Sequence, residues 1–383
     1  MTASPLVRLA LFGALCLPAA VAGAQATARH ARAIDAYART HGFNGTILVR
    51  HKGAVVYHKS FGIADRAFSV PVTNDTKFRI ASITKVFTAV LVLQLVEQGR
   101  LDLDATIRTY LPAYTGAGAD RVTLHHLLRH VSGIQNMDTV SSFQAAVAHG
   151  IEVYQRPLTT DALLARYASG ALVHDPGSTF DYNNAEYIIL GKVIEAVEGK
   201  PFDVVLRDRI LTPLGLRNSG MTRQAELLPR LAPTYFRRPD TKEMINDLPV
   251  YIDNWYAAGA MYATGADLGR FAAALYERSL LTPASRERLL TPGLDKYGYG
   301  LWVDSITIGG KRERIAYRPG SIMGANTALY RVVDRDVTVI ILSNTNVTDI
   351  DEFAPWIART ILVDRKPVHP VRPSTRPIPG PAS

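Results

Sequence analysis

The stretch from Ile83 to Val96 carries Val86, Phe87, Val90, Leu91, Val92, Leu93, Leu95 and Val96, with Gly99 just beyond it. Apolar residues at this density leave almost no polar face for water, so a helix here has to be enclosed by the rest of the chain, and Gly99 fits its C-terminal stop. The stretch predicts a fold organised around a buried central helix.

Ser82-Ile83-Thr84-Lys85 stands at the start of that helix. Positions i and i+3 share a helix face, so the Ser82 hydroxyl and the Lys85 amine point into the same space. Burial disfavours a charged amine, which would let Lys85 accept the proton of Ser82, and a helix N-terminus adds unpaired N–H groups beside the same serine. The plainer alternative is a capping serine followed by a lysine that snorkels to water. Chance alone places S-x-x-K about 0.4 times in a chain of this composition, so the tetrapeptide needs company.

It has company, in order along the chain. Tyr182-Asn183-Asn184 closes the run Pro176-Gly177-Ser178-Thr179-Phe180-Asp181 and precedes the helical Tyr187-Ile188-Ile189-Leu190-Gly191; Arg318-Pro319-Gly320-Ser321 precedes a strand-rich stretch near the C-terminus. Leu127 to Ile134, containing His130-Val131-Ser132-Gly133, and Ala257 to Thr264 are further landmarks.

This set resembles the serine β-lactamase and penicillin-binding protein superfamily, in its class C β-lactamase, D-aminopeptidase and esterase branch, from about Asn44 to about Ile361. Ser82 and Lys85 match S-x-x-K, Tyr182 and Asn184 match Y-x-N, and Arg318-Pro319-Gly320 matches the K-T-G or H-x-G strand motif. The resemblance implies that Ser82 is acylated, Lys85 helps deprotonate it, and Tyr182 relays the proton to the leaving group and later activates water. Asn184 would hold Lys85 and the acyl chain's amide. The N–H groups of Ser82 and Ser321 would bind the oxyanion, worth about 3 kcal/mol per donor.

Three positions depart from the family pattern. Pro319 supplies neither hydroxyl nor N–H, removing a contact to a substrate carboxylate. Arg318 keeps a cation that cannot shuttle protons but has a fork able to grip a carboxylate in two places. Asn183 is bulkier than the usual Ala or Ser. Pro319 tilts the expected activity from a β-lactamase toward a promiscuous esterase or peptide hydrolase of the same family. A penicillin- or cell-wall-peptide-binding protein that acylates without turnover is the alternative, and the expected partner is a small molecule or peptide, with peptidoglycan-derived compounds among the candidates.

Arg8, the apolar Leu9 to Val21 and Ala22-Gly23-Ala24 read as a signal peptide over residues 1–24, cleaved before Gln25, which predicts a periplasmic or secreted enzyme. The only cysteine, Cys16, lies inside that segment, so a processed chain would have no disulfide and no thiolate chemistry. The net charge is +9, but the basic residues are scattered and not interleaved with aromatics, so nucleic acid is not an expected partner. No later segment has the apolar length of a membrane span. His126 and His130 have i, i+4 spacing without a carboxylate to complete a zinc motif, and no phosphate loop, dinucleotide fingerprint or G-x-S-x-G elbow occurs; no cofactor is expected.

Strand signals come from both ends. Gly45 to Arg50, a turn at Lys52-Gly53, and Ala54 to His58 read as a hairpin, as do Ala325 to Val333, the turn Asp334-Arg335-Asp336 and Val337 to Leu342. Tyr299 to Val303 and Arg314 to Tyr317 offer further strands. Between them, residues 82–290 read as mostly helical, with helices at Ala185 to Glu198 and, after a Thr264 cap, Asp267 to Glu277; a last helix covers Phe353 to Leu362. The expected architecture is α+β: an antiparallel sheet flanked by helices, with a helical subdomain inserted, in one domain over residues 25–365. Residues 366–383, with six prolines, read as an extended tail.

Overall fold

A computed structural model describes residues 17–138, 143–277 and 280–363. The proline-rich tail and most of the expected signal segment lie outside them. The N-terminal helix α1 (Leu17–Thr40) runs across the expected cleavage position.

The centre is a six-stranded antiparallel sheet of β1 (Gly45–His51), β2 (Ala54–Phe61), β3 (Trp302–Ile308), β4 (Lys311–Ile322), β5 (Ala325–Val332) and β6 (Val337–Ser343), in the order β3-β4-β5-β6-β1-β2. Lys52 and Gly53, both at positive φ, make the β1–β2 hairpin turn, the backbone that matches strand twist, and Asp336 at φ 49° closes the β5–β6 connection. Strand side chains alternate faces. Ile47, Val49, Val339 and Ile341 enter a core under α1 and the last helix, α5 (Ile350–Leu362), while Leu48, Ile340 and Leu342 enter the larger core on the other side. With both faces covered, β6 is buried from end to end, and its sequence is nearly all apolar for that reason.

The larger core holds α2 (Thr84–Glu97), buried at 11 of its 14 positions. Around it stand α3 (Asn184–Glu198), capped by the Asn183 side chain and ended by Gly199 at φ 67°, and α4 (Gly265–Tyr276), capped by Thr264. Phe87 of α2 stacks on Phe271 of α4 with centroids 3.7 Å apart. Gly269 lets α4 sit on β1, since a Cβ there would stand 3.2 Å from Leu48. On the opposite face of the sheet, α5 (Ile350–Leu362) is capped by the Asp349 carboxylate.

The middle of the chain is less helical than its sequence suggests. Between α2 and α4 the described residues are broken into helices of eight residues or fewer apart from α3, with irregular segments and two small sheets. One of these pairs Met261–Ala263 with Phe78–Arg79 and with Gly220–Met221. It leads directly into Ser82. No described helix is long and apolar enough to cross a membrane.

Candidate active site

Ser82 does not cap α2. It occupies a 3-10 turn, Ala81–Ile83, that precedes the helix, and Ala81 is held at φ 47°, a left-handed conformation uncommon outside glycine. The turn is pinned from two sides. Ile80 N–H donates to Met261 O (2.9 Å), Thr84 Oγ1 donates to Ala81 O (2.7 Å) and Thr327 Oγ1 of β5 donates to Ile80 O (3.1 Å). Gly320 lets β4 reach the same turn: a Cβ there would lie 2.5 Å from Ile80 O and 3.2 Å from Ser82 N. Ser321, exposed and opposite Asn326 in register, follows it on the segment beyond Tyr317 where β4 has a partner strand on one side only. Pro319 sits in that same one-sided segment, a position a sheet tolerates for proline.

Lys85, fully buried, places Nζ 3.3 Å from Ser82 Oγ. The amine donates to Asn184 Oδ1 (2.6 Å) and to the Ala258 carbonyl (2.9 Å), and neither oxygen carries a hydrogen to give back. A neutral amine has two hydrogens, and both are taken. Its lone pair is then left for Ser82. Burial, followed by the charge of Arg318, pulls the Lys85 pKa well below the ordinary lysine value, against the opposing pull of Asp138 and Glu186.

The Tyr182 hydroxyl lies 2.9 Å from Ser82 Oγ on the other side. Burial pushes its pKa up, while Arg318 and the Ser82 contact work against that shift. Arg318 is only 1% exposed, not the solvated charge its Pro-Gly context suggests. Its Nε donates to Ser82 O (2.9 Å), Nη1 to the Tyr297 hydroxyl (3.0 Å) and Nη2 to the Tyr182 hydroxyl, and its guanidinium lies 5.1 Å from the Trp302 ring centre. The fork that sequence offers to a substrate carboxylate is turned into the protein. The nucleophile turn, Tyr182 and Tyr297 occupy it.

Several partners of these groups escape a reading by motif. The loop from Gly133 to Asp138 runs beneath Tyr182-Asn183-Asn184 and holds each residue in turn. Asn136 Nδ2 donates to Tyr182 O (2.8 Å), Asn183 Nδ2 donates to the carbonyls of Ile134 (2.9 Å) and Gln135 (3.1 Å), and Asn184 Nδ2 donates to Asp138 Oδ2 (2.8 Å). Asn183 is therefore a buried bracket whose size is needed. Behind Tyr182, His130 meets Glu186 through Nδ1, and Ser132 N–H donates to Glu186 Oε1 (3.2 Å). Burial drives the Glu186 pKa well up and that of His130 well down, which favours the neutral form of each. His130 and Ser132 come from the landmark loop flagged in sequence. Glu186 gave no signal, because an acid in the first turn of a helix ordinarily serves the helix dipole at the surface.

Among the described residues no group of three or more His, Cys, Asp or Glu is placed to hold a metal.

Penicillin-binding protein 4* of Bacillus subtilis (strain 168) is 30% identical over 357 residues, which is 88% of this chain and 76% of that protein. Esterase EstB of Burkholderia gladioli is 33% identical over 226 residues, 57% of this chain and 56% of the esterase. A penicillin binding protein from Bacillus halodurans superposes with a TM-score of 0.72 at 26% identity, over 85% of this chain and 98% of that one. A family model described as Beta-lactamase matches residues 30–362, and the chain belongs to that family as a serine hydrolase with the β-lactamase-like α+β fold.

Proposed function

We propose that the chain is an exported serine hydrolase that works through a Ser82 acyl-enzyme on an ester, a D-amino-acid amide or a β-lactam carbonyl, with uncharged esters and amides preferred. The observation that carries the reading is the wiring of Lys85, whose two acceptors leave its lone pair for the Ser82 proton. In acylation, Ser82 Oγ attacks the carbonyl carbon as its proton passes to Lys85 Nζ. The C=O π pair moves to oxygen, which the N–H groups of Ser82 and Ser321 stabilise. Tyr182, a neutral phenol beside Ser82, protonates the leaving group and then recovers the proton that Lys85 took from Ser82. Water then attacks the ester by the reverse route, returning its second proton to Ser82.

Arg318 and Pro319 support the substrate preference. The guanidinium turns three of its N–H bonds to protein oxygens and is buried, and Pro319 has no hydroxyl, so neither side chain offers a contact to a carboxylate next to the scissile bond. Relatives named as an esterase and as a penicillin-binding protein bracket the same range of substrates. Domain limits of residues 25–365 and export by a cleaved N-terminal segment belong to the same proposal.

Intact-protein mass spectrometry with a p-nitrophenyl ester and with a penicillin, on the wild type and Ser82→Ala, tests it. The expected result is a burst of nitrophenol with a transient acyl mass on the wild type, neither with Ser82→Ala, and a weaker reaction with the penicillin. Ester turnover that survives Ser82→Ala would reject the nucleophile, and faster reaction with the penicillin would reject the preference.

A further inference from the structure

The orientation of the Asn184 amide decides whether Lys85 meets an acceptor or a donor, and nothing in Asn184 itself settles which way the amide faces. Its surroundings do. Asn184 Nδ2 donates one hydrogen to Asp138 Oδ2 (2.8 Å) and the other to the Tyr154 hydroxyl oxygen (2.9 Å). The Tyr154 hydroxyl spends its own hydrogen on Asp138 Oδ1. Burial pushes the Asp138 pKa up, against the Tyr154, Lys85 and Asn184 contacts that favour its carboxylate form; a carboxylate can only accept, so the hydrogens around this triangle then run in one direction. Flipping the amide would set its oxygen against two filled acceptors and its NH₂ against the Lys85 amine.

The triangle is itself held. Tyr154 is 5% exposed and stacks on Trp255 with centroids 3.7 Å apart and planes 9° from parallel. Its carbonyl accepts from Tyr251 N–H (2.6 Å), and the Val153 carbonyl accepts from Asn254 Nδ2 (2.7 Å). Asp138 N–H donates to Asn136 Oδ1 (2.9 Å), the asparagine that also holds Tyr182.

We propose that Asp138 and Tyr154 are positioning residues for acylation: together they claim both N–H bonds of Asn184, aim its Oδ1 at Lys85, and thereby aim the lone pair of Lys85 at Ser82. Neither residue touches Ser82, and both act through Asn184. The assignment rests on the Ser82 acyl-enzyme reading and deepens it.

The test is a mutant cycle read by pre-steady-state acylation with a p-nitrophenyl ester. Tyr154→Phe keeps the stack on Trp255 and removes only the hydroxyl; Asp138→Asn keeps shape and removes the acceptor-only character. Each is expected to lower the acylation rate about 10- to 100-fold with KM little changed. In an Asn184→Ala background, neither is expected to lower it further. The pH profile adds a readout that a merely structural role would not move. Lys85 is faced by Arg318 from β4, Asp138 from the loop before it, Glu186 from α3, and the rings of Tyr182 and Tyr187. Asp138→Asn removes a negative neighbour of Lys85, so the acid limb of kcat/KM shifts to lower pH, while Tyr154→Phe leaves all charges in place and moves it less. Equal losses with and without Asn184, or wild-type acylation in both single variants, would overturn the assignment. Failure of the underlying reading looks different: Ser82→Ala would retain turnover.

Discussion

Gly320→Ala tests whether the close approach of β4 to the nucleophile turn matters to the chemistry. The added Cβ would lie 2.5 Å from Ile80 O and 2.5 Å from Thr327 Oγ1, where real Cβ contacts do not fall below 3.0 Å. Ile80 O is backbone and cannot swing aside. Thr327 is fully buried and its hydroxyl is committed to Ile80 O and Gly320 O, so it yields little. Strand and turn must therefore part by about half an ångström or more. The parting separates Ser321 from Ser82, the two residues proposed to supply the oxyanion donors, and it stretches the bond from Arg318 Nε to Ser82 O. A misplacement of about 1 Å costs on the order of 100-fold in rate, so half of that predicts a kcat/KM about 10- to 100-fold lower, or roughly 1.4–2.7 kcal/mol of transition-state stabilisation. Overpacking adds about 1–3 kcal/mol of lost stability. Steady-state ester hydrolysis, acylation rate and thermal melting measure all three. A variant with wild-type kcat/KM and melting temperature would refute the packing argument, and one that melts lower while acylating at the wild-type rate would show that the oxyanion donors do not depend on this contact.

Two other predictions follow from the buried charges. Lys85 must be unprotonated to take the Ser82 proton, so activity is present above its depressed pKa and lost as pH falls through it; Arg318→Gln removes a positive neighbour that opposes protonation, so the acid limb of kcat/KM should move to higher pH, and an unmoved limb would count against Lys85 as the base. Burial favours the neutral forms of Glu186 and His130, so Glu186→Gln should cost less than about 1 kcal/mol, whereas Glu186→Ala, which strands Ser132 N–H and opens a cavity, should cost about 2–4 kcal/mol. Denaturant melts distinguish these values, and a large loss in the Gln variant would mean the pair is ionic.

Much of the fold could be read from pattern because the pattern is physically forced. A helix with no polar face has to be buried, and a hairpin with two positive-φ residues needs something like Lys52-Gly53. Helices α2, α3, α4 and α5 each carry a cap or stop that sequence displays. The two-residue strands Phe78–Arg79 and Gly220–Met221 are too short to show any period, and the helices between α2 and α4 are too short to show an apolar face. In the site, Ser82, Lys85, Tyr182 and Asn184 meet as their order suggested. Asp138, Tyr154 and Tyr297 carry no local signature, because their partners lie 46, 30 and 21 residues away and only the folded chain brings them together. The surroundings of Arg318 are illegible in sequence for a related reason. A guanidinium beside Pro-Gly belongs in water unless three oxygens from three separate segments are waiting for it.

The sheet has a consequence for how the protein is made. β1 pairs with β6, and the hydrogen bond from Asn44 to Asn344 at the end of that seam joins residues 300 positions apart. At about 5–20 residues per second, a ribosome needs roughly 15–60 seconds to supply the second half of the seam after the first has emerged. Throughout that interval the β1–β2 hairpin has an open edge carrying Ile47, Leu48 and Val49, and an apolar open edge is a template for pairing with other chains. Folding cannot be completed stepwise from the N-terminus, and the high contact order makes it slow even once the chain is whole. Holding the nascent chain unfolded until synthesis is over protects this topology, and a chain passed through a membrane before folding would be kept in that condition.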